Sequence, residues 1–193
     1  MKKVKIIVPG GLNTDIVGYG VKRLLGPGEL TLGGRLKIGP GGKSRNMAQM
    51  AAAYLGKDRV VMIGRSCVDP FGLWKVPLTA LEDAGVNTSH IKIVDFDESE
   101  GKYPGLALIP VDRRGRNQIY VLPGVNEDFS PQDVDDAENV FQNPRGDKFM
   151  ILALEIPLAT AEYCARKAAR CLLDKGVRNH AVSQGGGSSC HPG

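Results

Sequence analysis

Apolar residues along this chain fall into two rhythms. Short, mainly apolar runs at Val4–Val8, Arg59–Ile63 (closed by Gly64) and Phe149–Leu154 predict short strands buried on both faces, as in a parallel sheet. Between and after them, apolar residues recur at helical spacing. Lys43–Leu55 carries a small-residue face of Ala48, Ala51 and Ala52 and stops at Gly56, while Pro70–Ala84 carries Phe71, Trp74, Leu78 and Leu81 and stops at Gly85. Pro157–Asp174 forms a last amphipathic helix before Gly176. Strand, helix, strand, helix in this order predicts an α/β fold in which right-handed crossovers build a parallel sheet flanked by helices.

Other segments alternate instead. Gly105–Val111 and Asn117–Leu122 flank the turn Asp112-Arg113-Arg114-Gly115-Arg116 and predict an antiparallel hairpin. Val17–Lys37 is broken by Gly26, Pro27, Gly28, Gly33 and Gly34 around two alternating pieces, Glu29–Leu32 and Arg35–Ile38, which read as small strands joining the hairpin in a second sheet. Ser130-Pro131-Gln132-Asp133 is a helix start, with Ser130 as cap and Pro131 at the first helical position. A fourth main-sheet strand is due after Gly176. The chain from Asn179 is instead Gly/Ser-rich, so the main sheet is expected to be truncated.

Candidate chemistry gathers at one sheet edge. Ligands of open parallel sheets bind outside the carboxyl ends of the strands, where loops and helix amino termini collect. Asn13 and Asp15 follow the first strand, Gly41 and Gly42 turn into the Lys43 helix, and Glu155 follows the third strand. A glycine turn entering a helix exposes unpaired N–H groups with no Cβ in the way, and Lys43 and Asn46 add side-chain donors one turn apart. A carboxylate after FMILAL costs free energy unless solvated or paired. Two carboxylates, amides and backbone donors suit a molecule with several hydroxyls, such as a sugar. Each residue alone has an ordinary reading too: Asn13 as a turn residue, Asp15 as a cap, Glu155 as a solvated strand end, the glycines as a plain loop-to-helix junction.

Composition narrows the classes. The 193 residues are enough for one substantial core, and 42% hydrophobic with 24% charged residues is globular. The net charge of +4 is distributed, and its densest cluster lies in the hairpin turn without interleaved aromatics, which argues against nucleic acid. Cys67, Cys164, Cys171 and Cys190 show no paired spacing, so a reducing cytoplasm is expected and zinc at Cys190-His191 is not. His90 and His180 have no partner pattern and read as surface residues; Met47 and Met50 read as core. MKKVKIIVPGG is too short for a signal peptide, and no run of about 18 apolar residues is present to span a membrane.

With those residues in place, the chain resembles the ribokinase-like, or PfkB, carbohydrate kinases. GPGGKSRNMAQMAAAYLG is similar to the family's amino-terminal signature, GGLNTD to its first sugar-binding loop and PGEL to its lid entry. GVNEDFSP resembles the segment after the lid hairpin, and LALEIP the strand whose glutamate faces the sugar. The similarity runs in order from about Val4 to about Val177. It implies a ribokinase-like fold over 1–178, with lid strands at about 17–39 and 101–123 and a flexible tail over 179–193. It also implies Asn13, Asp15, Gly41, Gly42, Lys43, Asn46 and Glu155 as sugar-contacting positions, and a lid that mediates homodimers. Ser44, beside the bulky Arg45, stands where the family usually has a glycine, which leaves the sugar's identity open.

The family's second signature, an Asp-Thr-x-Gly-Ala-Gly-Asp run bearing the anion hole and aspartate base, has no match here. The resemblance therefore implies the sugar-binding half of an ATP-dependent kinase. ATP and Mg2+ are expected for a full-length member, while this chain alone is expected to bind neither and to lack a catalytic residue. The alternatives are a non-catalytic sugar- or nucleoside-binding or regulatory protein, and a structural subunit that pairs through the lid.

Overall fold

The computed structural model describes residues 4–142 and 148–173. Four parallel strands form the main sheet: β1 (Ile6–Pro9), β4 (Val60–Val68), β5 (Asn87–Asp95) and β8 (Phe149–Met150), in the order β5-β4-β1-β8. A second sheet holds β2 (Asn13–Val21), β3 (Arg35–Gly41), β6 (Gly105–Asp112) and β7 (Tyr120–Leu122), in the order β3-β2-β6-β7. The helices are α1 (Lys43–Leu55), α2 (Lys75–Asp83), α3 (Pro131–Asp136), α4 (Glu138–Phe141) and α5 (Leu158–Leu173).

Alternation along the central strands builds two cores, one on each face of the main sheet. Val8, Val60 and Met62 meet Ala48 and Ala52 of α1 and Leu78 and Leu81 of α2. Ile7, Val61 and Ile63 meet Phe129, Val134, Phe141 and Cys164 on the other side. The small face of α1 thus lets its backbone lie close to the sheet, which sets its amino terminus at the end of β1.

The cap at Ser130 holds more than a helix. Asp133 closes a capping box with Ser130 and accepts from Arg65 Nε at 2.8 Å and Nη2 at 3.0 Å, tying α3 to β4. In the hairpin turn, the Asp112 carboxylate accepts from the Arg114 and Arg116 amides at 2.8 and 3.0 Å and from Arg116 Nε at 2.8 Å, so the arginine cluster is organised as a turn.

Several expectations change. Glu29–Leu32 is not a strand, because its surroundings turn at Pro27-Gly28 and it finds no ladder partner. Gly64 lies inside β4, which continues to Val68 by pairing with β5. That pairing reveals a strand, Asn87–Asp95, that the apolar runs do not mark: at the sheet edge it is mostly polar or exposed, and only Ile91 is buried. The second helix starts at Lys75, since the Asp69 carboxylate gathers the amides of Phe71, Leu73 and Trp74 into a loop that leaves Phe71 exposed. The third predicted strand shortens to Phe149–Met150 on the open side of β1, with Phe149 exposed. Met50 is exposed rather than core, and His90 is half-buried, with burial lowering its pKa. His180, Cys190, His191, Gly176 and the 179–193 tail lie outside the described residues.

Candidate functional site

Asn13 and Asp15 are the first and third residues of β2, not a loop, and they pair across the ladder with Gly41 and Gly39 of β3. This register places the β1–β2 turn beside the β3–α1 turn. Gly41 is required by contact: a Cβ there would lie 1.9 Å from Asp15 Oδ1, so only glycine lets the carboxylate rest against the strand. Gly42 is required by conformation, with φ of 91° and the Gly11 carbonyl 2.9 Å from where a Cβ would stand. Glu155 arrives from beyond β8. One of its oxygens accepts the Lys43 amide, an otherwise unpaired donor of the first turn, at 2.5 Å, and the other meets Lys43 Nζ at 3.0 Å.

Of the seven predicted residues, Asn13, Asp15, Gly41, Gly42, Lys43 and Glu155 therefore come together where the β1–β2 turn meets the start of α1. Asn46 is exposed on the next turn of α1, and Arg45 connects it to them. Burial raises the pKa of Asp15 above the usual carboxylate range; the Arg45 charge opposes this rise and the nearby Glu155 carboxylate adds to it.

Three residues of the site escape sequence reasoning about side-chain roles. Arg45, only 3% exposed, donates through Nε to the Gly41 carbonyl at 3.0 Å and through Nη2 to the Pro40 carbonyl at 3.2 Å, and also bonds the side chains of Gln49 and Asn46. A long cation in an otherwise small-residue helix face was its signal. Asn126 is buried as the last residue of a short 3-10 turn (Gly124–Asn126); its Oδ1 accepts the Leu12 amide at 3.1 Å, and its Nδ2 donates to the Leu12 carbonyl at 3.1 Å and to Asn13 Oδ1 at 2.9 Å. The segment GVNEDFSP carries it, but nothing local gives its role. Ser44 is fully buried against Gly10, where a Cβ would lie 1.9 Å from its Oγ, and that oxygen makes no hydrogen bond.

Chemically, these residues offer carboxylate acceptors from Asp15 and Glu155, amides from Asn13 and Asn46, and an ammonium from Lys43. Among the described residues no group of three His, Cys, Asp or Glu side chains is placed to hold a metal ion.

The pattern of the family described as pfkB family carbohydrate kinase matches residues 3–186. The ribokinase of Dictyostelium discoideum is 31% identical over 153 residues, 79% of this chain and 44% of its own length. A deoxyribokinase of Salmonella typhi is 31% identical over 155 residues, 80% of this chain and 46% of its own. An Arabidopsis thaliana ribokinase complexed with ribose and ATP shares the fold, with a TM-score of 0.70 at 24% identity over 91% of this chain and 52% of that one. The chain spans about half the length of the curated relatives it matches. Matching sequence over nearly its whole length, on a parallel sheet with a second small sheet beside it, shows that the chain belongs to the pfkB family of carbohydrate kinases.

Proposed function

We propose that this chain binds and orients the acceptor of an ATP-dependent carbohydrate kinase, a sugar or nucleoside whose hydroxyl receives the γ-phosphate. The observation that carries this reading is the meeting of Asp15 and Glu155 at the amino terminus of α1, beside two glycines that keep the backbone open. A carboxylate can accept from two adjacent hydroxyls at once, and amides from Asn13 and Asn46 supply donors and acceptors for their neighbours. Holding the hydroxyl in a fixed pose is a large part of what phosphoryl transfer needs. The relatives named for ribose and deoxyribose, and the relative bound to ribose and ATP, favour a pentose as the first probe.

ATP would supply the phosphoryl group and Mg2+ its charge neutralisation. In this reading Asp15 and Glu155 are committed to acceptor contacts, and Glu155 is also engaged with Lys43. We therefore assign no catalytic base here and infer that residues 1–193 alone do not turn over. Purified chain with ATP, Mg2+ and a sugar panel should release no sugar-dependent ADP, and turnover above an Asp15→Ala control would refute this. The acceptor reading itself is tested by calorimetry with D-ribose: Asp15→Ala should weaken binding by about 2 kcal/mol, as for a charge-assisted hydrogen bond. Wild-type affinity in that variant would remove Asp15 from the site.

The small sheet supports a lid that also pairs. Adjacent strands share faces, and Ile16, Ile38, Leu108 and Tyr120 form one cross-strand row on the face opposite Asp15, with Ile38, Leu108 and Tyr120 exposed. A second copy of this chain is the partner we assign to that row. A single folded unit over 1–178 is part of this proposal, with residues 1–3, 143–147 and 174–178 lying outside the described residues. Free, buried Cys67 and Cys164 support a reducing compartment, and no helix among the described residues is long and apolar enough to cross a membrane.

A further inference from the structure

A buried arginine needs partners, and Arg45 has chosen ones that belong to the candidate site. It bonds the carbonyls of Pro40 and Gly41, the two residues that end β3, and the side-chain oxygen of Asn46. A guanidinium carries donors only, so the Asn46 amide must turn its oxygen toward Arg45 and keep its NH2 for something else. That NH2 has no partner among the described residues. Asp15, the other neighbour, is coupled to Arg45 by charge and lies against Gly41, the residue whose carbonyl Arg45 holds. Lys43 pairs with Glu155, while Arg45 and Asp15 act on each other by charge without an ion-pair contact.

We propose that Arg45 is a positioning residue which fixes the hydrogen-bonding pattern beside the start of α1, holding Asn46 as a donor and Asp15 as an acceptor. This rests on the acceptor reading above. The groups facing Asp15 are Arg45 from α1 and Glu155 from beyond β8; its ladder neighbours, Gly39 and Ala107, do not titrate. Removing the guanidinium leaves burial and Glu155 to act on Asp15, and both raise its pKa. Sugar binding, which needs the carboxylate, should then fail at a higher pH as the solution is acidified.

Two measurements test this on the full chain. The first is the Asp15 carboxyl titration by 13C NMR without sugar. Arg45→Met should move the midpoint up, and Arg45→Lys, which keeps the charge, should hold it at the wild-type value. Where Arg45→Met fails to fold, Arg45→Gln takes its place. The second is D-ribose binding by calorimetry, in which both Arg45→Met and Arg45→Lys should lose about tenfold or more because the fork to Asn46 and the carbonyls is gone. A merely structural role would lower the melting temperature of both variants without splitting their Asp15 midpoints, and that result overturns the proposal, as does wild-type ribose affinity in Arg45→Met. Loss of ribose binding in Asp15→Ala alone overturns the Arg45 role and leaves the pocket reading standing. Ribose binding untouched by Asp15→Ala removes the pocket reading instead, and the sugar-free titration still decides whether Arg45 governs Asp15.

Discussion

Replacing Asn126 by Ala should damage stability and site together. The amide satisfies both backbone groups of Leu12 at 3.1 Å each and holds Asn13 Oδ1 at 2.9 Å, with Leu12 2%, Asn13 9% and Asn126 3% exposed. Truncation orphans one buried N–H and one buried C=O, each costing about 1–3 kcal/mol. The Asn13 oxygen can reorient at little cost, and water entering the vacated space recovers part of the rest. The working figure is a loss of about 2–4 kcal/mol. With a urea m-value of about 2 kcal/mol/M, the denaturation midpoint should fall by about 1–2 M at unchanged slope. Asn126→Asp is the sharper control, because it keeps an acceptor for the Leu12 amide but sets a carboxylate against two oxygens, and it should cost at least as much at pH 7. Ribose affinity should fall in both variants, since Asn13 loses its fixed orientation. A midpoint within about 0.3 M of wild type for Asn126→Ala would refute the reasoning, because no account with two orphaned backbone groups permits so small a change.

Three further outcomes follow from the same geometry. Burial raises the Asp133 pKa, but bonds from Arg65 and from the Ser130 amide and hydroxyl, with the Arg65 charge, outweigh it and leave the pKa lowered. The stability this carboxylate contributes is therefore complete above the ordinary range near about pH 4 and is lost as pH falls through the lowered folded value. The gap in urea midpoint between wild type and Asp133→Asn should be constant from about pH 8 to 5 and close on further acidification; a widening gap would contradict the sign. Gly41→Ala should displace the Asp15 carboxylate and weaken ribose binding by about tenfold or more, as for loss of a charge-assisted hydrogen bond, and calorimetry showing unchanged affinity would show that the carboxylate does not need that contact. Leu108→Glu should leave the monomer folded while abolishing dimers in sedimentation, and a wild type that sediments only as monomer at micromolar concentration refutes the lid pairing.

What the sequence made legible follows the range of the interactions involved. Helices α1 and α5, the hairpin and the Ser130 cap depend on neighbours a few residues away, and their signals lie in the local pattern. Six of the seven site residues could be brought to one edge because strand ends converge there whatever the details. The strand β5 was missed because an edge strand needs only one apolar face, which in Asn87–Asp95 is no stronger than a loop's. Glu29–Leu32 alternates like a strand but lacks a partner, and only the ladder decides that. Asn126 lies 114 residues from Leu12, so its role depends on a contact no window of sequence contains.

The proposed site is a seam between two sheets rather than a feature of one layer. Asn13 and Asp15 belong to the small sheet, whereas Glu155 and the start of α1 belong to the main one, and the chain crosses between them in the few residues after β1. Such a seam keeps its geometry only if the crossing is fixed at both ends. Asn126 fixes Leu12, and Thr14, fully buried, donates its hydroxyl to the Leu73 carbonyl at 2.7 Å, so Asn13 is held between two anchored neighbours. On the other side Glu155 fixes the first turn of α1, and Arg45 fixes the carbonyls that enter it. A ligand bridging Asp15 and Glu155 would join the two sheets directly, and its effect on their relative position is limited to the difference in its affinity for the joined and separated arrangements. Anchoring Asn13 in advance lowers the ordering cost left to that ligand, which is why residues that need not touch the sugar should matter nearly as much as those that do.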